Sequence, residues 1–225
     1  MSIVKALPEL RAAGGAQMAL DSGLLETVDE VMARRYTWAP PALSLGKFQK
    51  YEPVPGVPFD VVRRPSGGRA VLHGEGFEWS FAVAFPAGAF GLGARAGADV
   101  AKPYDIVAGA FAGALEALGV TLDGGRESAY QRSALCFASV LRHDLTARGE
   151  KLVAVAQARR GERVLVHGSV LERRPPDELA QVAETLLGEP WQGDGLAGAG
   201  HVLAAEMIWK RVLARLEAAL QQLAA

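Results

Sequence analysis

The chain has 225 residues, half of them hydrophobic, enough for one sizeable core. Its 24 Lys and Arg balance 25 Asp and Glu, which excludes the charge excess that would draw a whole chain to nucleic acid or to an anionic membrane. Its single cysteine excludes an internal disulfide, and no stretch approaches the ~20 apolar residues that span a bilayer.

The N-terminus MSIVKALPELRAAGG lacks the uninterrupted apolar core of a secretory signal and points to a cytoplasmic protein. From about residue 11 to 34, Met18, Leu20, Leu24, Leu25, Val28 and Val31 recur at helical spacing, with Asp21, Glu26, Asp29 and Glu30 in the other positions. This predicts an amphipathic first helix, ended by residues 38–41 and followed by a short strand over 43–48. The prolines and glycine of YEPVPGVP at 51–58 make a loop.

Residues 63–83, RRPSGGRAVLHGEGFEWSFAV, carry the densest local signal. Gly67 and Gly68 can take positive φ and leave their N–H groups unshielded by a Cβ, so an anion or carbonyl can approach the backbone. Arg63, Arg64 and Arg69 surround them, and His73 closes the strand that follows. An ordinary hairpin turn uses the same residue types. Residues 77–83 then alternate, predicting a half-buried strand with Phe77, Trp79, Phe81 and Val83 inward and Glu78, Ser80 and Ala82 outward.

The glycine-rich segment 88–98 has the length of a flap over a site. Pro103 opens a helix whose Tyr104, Val107, Phe111, Leu115 and Leu118 share one stripe, closed by Gly119. Between 140 and 170 the pattern is three antiparallel strands with turns at Arg148-Gly149 and Arg160-Gly161, so Lys151 begins the middle strand. Helices follow over 176–187, stopped by Gly188, and over 201–223, where Val202, Ala205, Trp209, Val212, Leu216, Leu220 and Leu223 form a seam. An antiparallel meander with helices before, within and after it predicts an α+β fold, a mixed, largely antiparallel sheet packed by helices, with residues 1–225 as one domain.

Taken alone, Cys136 reads as a small buried hydrophobe and Lys151 as a solvated charge. One cysteine and the scattered His73, His143, His167 and His201 cannot make a standard zinc set.

The order of motifs says more. RRPSGGRAVLH at 63–73 resembles the signature of the lipoate ligase and octanoyltransferase family. MALDSGLL at 18–25, YTWAPPALSLGKFQ at 36–49, CFAS at 136–139 and GEKLVAVAQARRGERVLVHGS at 149–169 are similar to further family segments in the same order, over roughly residues 15 to 175. The resemblance implies the catalytic-domain fold shared by biotin and lipoate protein ligases, with the biotin branch the poorer match. It implies that Cys136 carries an acyl group as a thioester, and that Lys151 faces the acyl carbonyl, stabilises its oxyanion and favours the thiolate. Arg64, Gly67, Gly68, Arg69, His73, Gln157 and His167 are then expected to bind substrate.

The implied reaction moves an octanoyl or lipoyl group from acyl carrier protein to a lysine of a lipoyl domain or of the glycine cleavage system H protein. It needs no cofactor. The alternatives are a lipoate-protein ligase using ATP and Mg, and a catalytically silent relative that binds acyl groups or lipoyl domains. CFAS, the GGR loop and the absence of a Gly-Arg-Asn-Asp segment favour transfer. So do the roughly sixty residues after His167, too few for a separate accessory domain. Two departures stand out: Gly74 where the family has Asp after the histidine, and Ala154-Val155-Ala156 where it tends to Gly-Ser-Ala.

Overall fold

The computed structural model describes residues 2–51, 56–89, 100–124 and 133–224. Most of the expected flap at 88–98, and part of the loop at 51–58, lie outside them.

The chain starts with two short strands, β1 (Val4–Ala6) and β2 (Leu10–Ala12), before helix α1 (Gly14–Thr27). It continues through β3 (Val31–Trp38), β4 (Ala42–Leu45), β5 (Asp60–Arg63), β6 (Val71–His73) and β7 (Glu78–Phe85) to helix α2 (Ala101–Glu116). A 3₁₀ turn (Cys136–Ala138) precedes β8 (Leu145–Ala147), β9 (Glu150–Arg160) and β10 (Arg163–Leu171). Helices α3 (Asp177–Leu187), α4 (Gly195–Gly198) and α5 (Ala205–Ala224) complete it. The large sheet runs β1-β3-β7-β10-β9-β8, with β2 sharing the β1 edge of β3, and the small sheet runs β5-β4-β6. Pairing is antiparallel except where β1 and β2 join β3 and where β5 joins β4. The expected mixed, largely antiparallel α+β architecture is present.

The predicted first helix is shorter than expected, 14 residues from Gly14 to Thr27. Val28 leaves helical backbone at φ −56°, ψ 129°, and Val31–Trp38 is a strand. The apolar residues of this stretch fit either period. The strand wins because it pairs on both sides, with β1 at Val31–Ala33 and β2 at Tyr36–Trp38 along one edge and with β7 from Met32 to Tyr36 along the other, which gives its backbone groups partners. The helix also buries a different face from the one expected. Leu20 is 44% exposed, whereas Gln17 and Asp21 are fully buried beside Met18 and Leu25.

The half-buried strand is likewise corrected, since every residue of β7 is buried. Its alternation sorts large from small instead of apolar from polar. Trp79, Phe81, Val83 and Phe85 pack with Phe111 of α2 and with Trp209 and Val212 of α5, while Ala82 and Ala84 pack with Met18 and Leu25 of α1. Helices cover both faces of the central strand, so neither face can be left polar and wet. Each large side chain removed from water here stabilises the fold by about 1.5–3 kcal/mol.

The three-strand meander over β8 to β10 falls where the sequence places it. Arg148 and Gly149 both have positive φ, 53° and 80°, as a tight hairpin requires, and they set Lys151 as the second residue of β9. Helix α3 ends at left-handed Gly188 as expected. The last helix begins at Ala205 instead of residue 201, leaving Val202 out of the seam and 87% exposed. Among the described residues, no helix is long and apolar enough to cross a membrane.

Candidate active site

The Arg-rich loop after β5 is built by its own arginines. Arg64 is buried and staples the loop to β4: its Nη1 donates to the Ser44 carbonyl and hydroxyl, each at 2.8 Å, and its Nη2 donates to the Gly67 and Arg69 carbonyls at 3.1 and 2.8 Å. Burial pushes this guanidinium below its ordinary range, and negative charge on nearby Cys136 would oppose the shift. Arg63 donates outward to the carbonyls of Gly46, Lys47 and Gln49. These hydrogen bonds of the two guanidinium groups go to the loop, to β4 and to the residues just after it, so Arg64, expected to bind substrate, also shapes the loop.

Glycine is needed at Gly68, where φ is 93°, and at Gly46, where a Cβ would stand 1.9 Å from the Gly68 oxygen. Gly67 has neither constraint, and it lines an outer groove beside the loop instead of the cavity on which Cys136 and Lys151 open. Gly46→Ala should accordingly lower both thermal stability and any turnover, whereas Gly67→Ala should leave both near wild type. Equal effects in the two variants, measured by thermal melting, would contradict this account of the loop.

The cysteine segment lies directly on this loop. Ala70 N donates to the Ala134 carbonyl at 2.8 Å and Cys136 N to the Ala70 carbonyl at 2.9 Å, so the chain at 134–136 runs beside the start of β6. Glu189, beyond α3, accepts from Leu135 N and the Ser133 hydroxyl at 2.6 Å each and holds the segment from behind. Cys136, partly exposed on the 3₁₀ turn, has its Sγ 3.7 Å from Lys151 Nζ.

That lysine is no solvated charge. Its side chain is 2% exposed, and Nζ donates to the carbonyls of Cys136 and Ser139 and pairs with Asp144 Oδ2, all at 2.7 Å. Those three partners account for the three protons of an ammonium. Asp144, 3% exposed at its side chain, is fixed in turn by Leu141 N on Oδ2 at 2.8 Å and Val155 N on Oδ1 at 3.2 Å.

Cys136 and Lys151 open on a cavity of about 320 Å³ between the α1-side face of the large sheet and strand β6. Arg64, Gly68, Arg69, His73 and His167 also line it, as do Ala154, Val155 and Ala156. Arg69 bonds the Ser139 hydroxyl and so braces the cysteine turn. The walls follow β9 from Lys151 to Ala156, a path of roughly 16 Å at about 3.3 Å per residue.

Gln157 does not line the cavity. Strand alternation turns its side chain away from Ala156, leaving its Oε1 buried without a hydrogen bond, while its backbone meets the Tyr104 hydroxyl.

Both histidines are buried and carboxylate-oriented. His73 stacks on Trp38 with ring centroids 4.1 Å apart; its Nε2 lies 2.6 Å from Ser44 Oγ and its Nδ1 3.0 Å from Glu78 Oε1. Glu78 thus supplies the carboxylate that Gly74 lacks. A Cβ at position 74 would fall 2.5 Å from the buried Phe77 ring, so the local packing has no room for an aspartate there. His167 Nε2 lies 2.6 Å from Ser66 Oγ and its Nδ1 2.8 Å from Asp21 Oδ2. Asp21 also pairs with Arg34 at 3.1 Å and accepts from the Tyr36 hydroxyl at 3.0 Å. Burial, with the charge of Asp21, holds that phenol well above its ordinary range, so it stays a neutral donor.

Asp21, Glu78 and Asp144 are the site residues missing from the sequence expectations. Asp21 lies on one helical stripe with Gly14, Gln17, Met18 and Leu25, all of them buried, a face that the apolar pattern did not single out. Glu78 and Asp144 act through tertiary contacts that spacing does not encode. Among the described residues, no group of three or more His, Cys, Asp or Glu is placed to hold a metal ion.

The geometry agrees with what the chain is similar to. Residues 14–187 match the family model described as the lipoyl protein ligase A/B catalytic domain. The octanoyltransferase LipM of Carboxydothermus hydrogenoformans is 33% identical over 181 residues, covering 75% of this chain and 65% of that protein. LipM of Moorella thermoacetica is 34% identical over 181 residues, covering 73% and 63%. The chain therefore spans slightly less than two thirds of the length of these relatives.

Among solved structures, a T. acidophilum protein with bound lipoic acid gives a TM-score of 0.72 at 17% identity, over 98% of this chain and 86% of that one. Lipoate-protein ligase A bound with ATP gives 0.69 at 18%, over 98% and 85%. The biotin protein ligase of Aquifex aeolicus with biotin and ATP gives 0.55 at 12%, over 97% and 70%, in line with the poorer biotin match. The fold, the ordered motifs and the matched span together place this chain in the lipoyl protein ligase A/B catalytic-domain family.

Proposed function

We propose that the protein is an octanoyltransferase of protein lipoylation, which takes the acyl group from acyl carrier protein and passes it to a lysine of a lipoyl domain or of the glycine cleavage system H protein. The observation that carries this reading is the Cys136 sulfur, 3.7 Å from the Lys151 ammonium, on a cavity of about 320 Å³. That volume lies in the ~300–1,000 Å³ range of small-ligand sites. The similarity to LipM proteins supports the same reading.

The steps follow from the groups present. The Cys136 thiolate attacks the carbonyl carbon of the carrier thioester, and the carbonyl oxygen becomes an oxyanion beside the Lys151 charge. Collapse breaks the carbon–sulfur bond to the carrier, whose thiolate takes up a proton, and leaves a new thioester on Cys136. The neutral amine of the acceptor lysine then attacks that thioester, loses a proton as the amide forms, and returns Cys136 as thiolate. Exchange between thioesters is close to isoenergetic and amide formation is downhill, so ATP has no part in the cycle. Arg64 and Arg69 shape the loop and brace the cysteine turn, while His73 and His167, held by Glu78 and Asp21, form the polar part of the wall.

The test is octanoylation of a lipoyl domain from octanoyl-acyl carrier protein, with and without ATP and Mg. Transfer should proceed without nucleotide and disappear in Cys136→Ala. A strict requirement for ATP would instead establish the ligase reading, and inertness under both conditions the silent-relative reading.

A further inference from the structure

The geometry points to Asp144 as the positioning residue of the site: it keeps hold of the Lys151 ammonium while that ammonium exchanges a carbonyl partner for the substrate oxygen. This rests on the acyl-transfer reading. As the site stands, Lys151 has its three protons committed, to Cys136 O, Ser139 O and Asp144 Oδ2, each at 2.7 Å. It can donate to an oxyanion only by releasing one of them.

The three are not equally easy to release. The carbonyls are neutral acceptors on a turn beside the partly exposed Cys136. Asp144 is a carboxylate with a 3% exposed side chain, and stripping its counter-ion would strand a charge away from water. The two backbone N–H groups from Leu141 and Val155 fix the direction of that carboxylate, so the ammonium that stays with it swings about a defined point. Asp144 and Lys151 both line the cavity, and Leu141, 56% exposed, sits at its rim. A lysine tethered in this way reaches the carbonyl of an acyl group on Cys136 without leaving its counter-ion.

The experiment combines turnover with a stability cycle. Asp144→Asn should lower kcat for octanoyl transfer on the order of tenfold to a hundredfold, because a small misplacement of the donor is enough, with KM for octanoyl-acyl carrier protein little changed. Lys151→Met should melt below wild type, and adding Asp144→Asn to it should raise the melting temperature again by removing the stranded carboxylate. Wild-type kcat in Asp144→Asn would overturn the inference. So would a double variant that melts below Lys151→Met by the full cost of Asp144→Asn. Should Asp144→Asn fail to fold, the double variant still decides between coupled and independent roles. If wild type acquires no thioester from the carrier, the acyl-transfer reading fails and takes the inference with it; a thioester with an additive stability cycle removes the inference alone.

Discussion

Lys151→Met should lose octanoyl transfer and should also unfold more easily than wild type. Removing a preorganised donor to an oxyanion typically costs on the order of a hundredfold or more in rate. A solvated lysine at the start of a strand would leave stability within about 0.5 kcal/mol of wild type. This lysine, however, is 2% exposed and faces a carboxylate at 2.7 Å. Breaking a buried pair from one side typically costs about 3–5 kcal/mol, offset here in part by the two N–H groups that Asp144 keeps. Lys151→Arg retains charge but replaces a compact ammonium with a planar fork that cannot reproduce three short bonds in this pocket, so it too should lose transfer. Steady-state rates on a lipoyl domain and urea unfolding check the pair of effects. Near-wild-type turnover in folded Lys151→Met would remove the residue from the mechanism.

Asp21→Ala should be strongly destabilising. The carboxylate is fully buried and ties together Arg34, the Tyr36 hydroxyl and the His167 ring. Its loss leaves Arg34, 4% exposed at the side chain, without its counter-ion, a change worth about 3–5 kcal/mol by analogy with other buried pairs. Asp21→Asn keeps the shape and should cost less. Denaturant unfolding measures both, and a loss below about 1 kcal/mol in Asp21→Ala would show that the network contributes little to stability.

Asp21 also shows where sequence reading stops. Its place on a helix was clear, but the polar residues of α1 were assigned to the solvent side as a class, and one of them turned out to anchor the wall of the site. The same local logic carried the helix on into Val31–Trp38, where the apolar residues fit either period and only pairing with β1, β2 and β7 decides for a strand.

Where local chemistry is unambiguous the reading succeeded. The Arg148-Gly149 and Arg160-Gly161 turns placed Lys151 on β9 within one residue, and Gly188 closed α3. The union of Cys136 with Lys151 was accessible from the ordered motifs, and the structure places them 3.7 Å apart. That Glu78 replaces the carboxylate missing at Gly74 could not be read from spacing, since Glu78 reaches His73 across a turn whose packing around Phe77 is a tertiary matter.

The central claim is that Cys136 carries the acyl group, and intact-mass analysis after mixing with octanoyl-acyl carrier protein, without ATP, tests it most directly. Because the chain has one cysteine, a thioester adduct can form at only one position. The account predicts a single octanoyl adduct on wild type, removed by hydroxylamine and absent from Cys136→Ala. It is contradicted if a lipoyl domain is octanoylated at the same rate by wild type and Cys136→Ala, or if the adduct appears only when ATP is supplied.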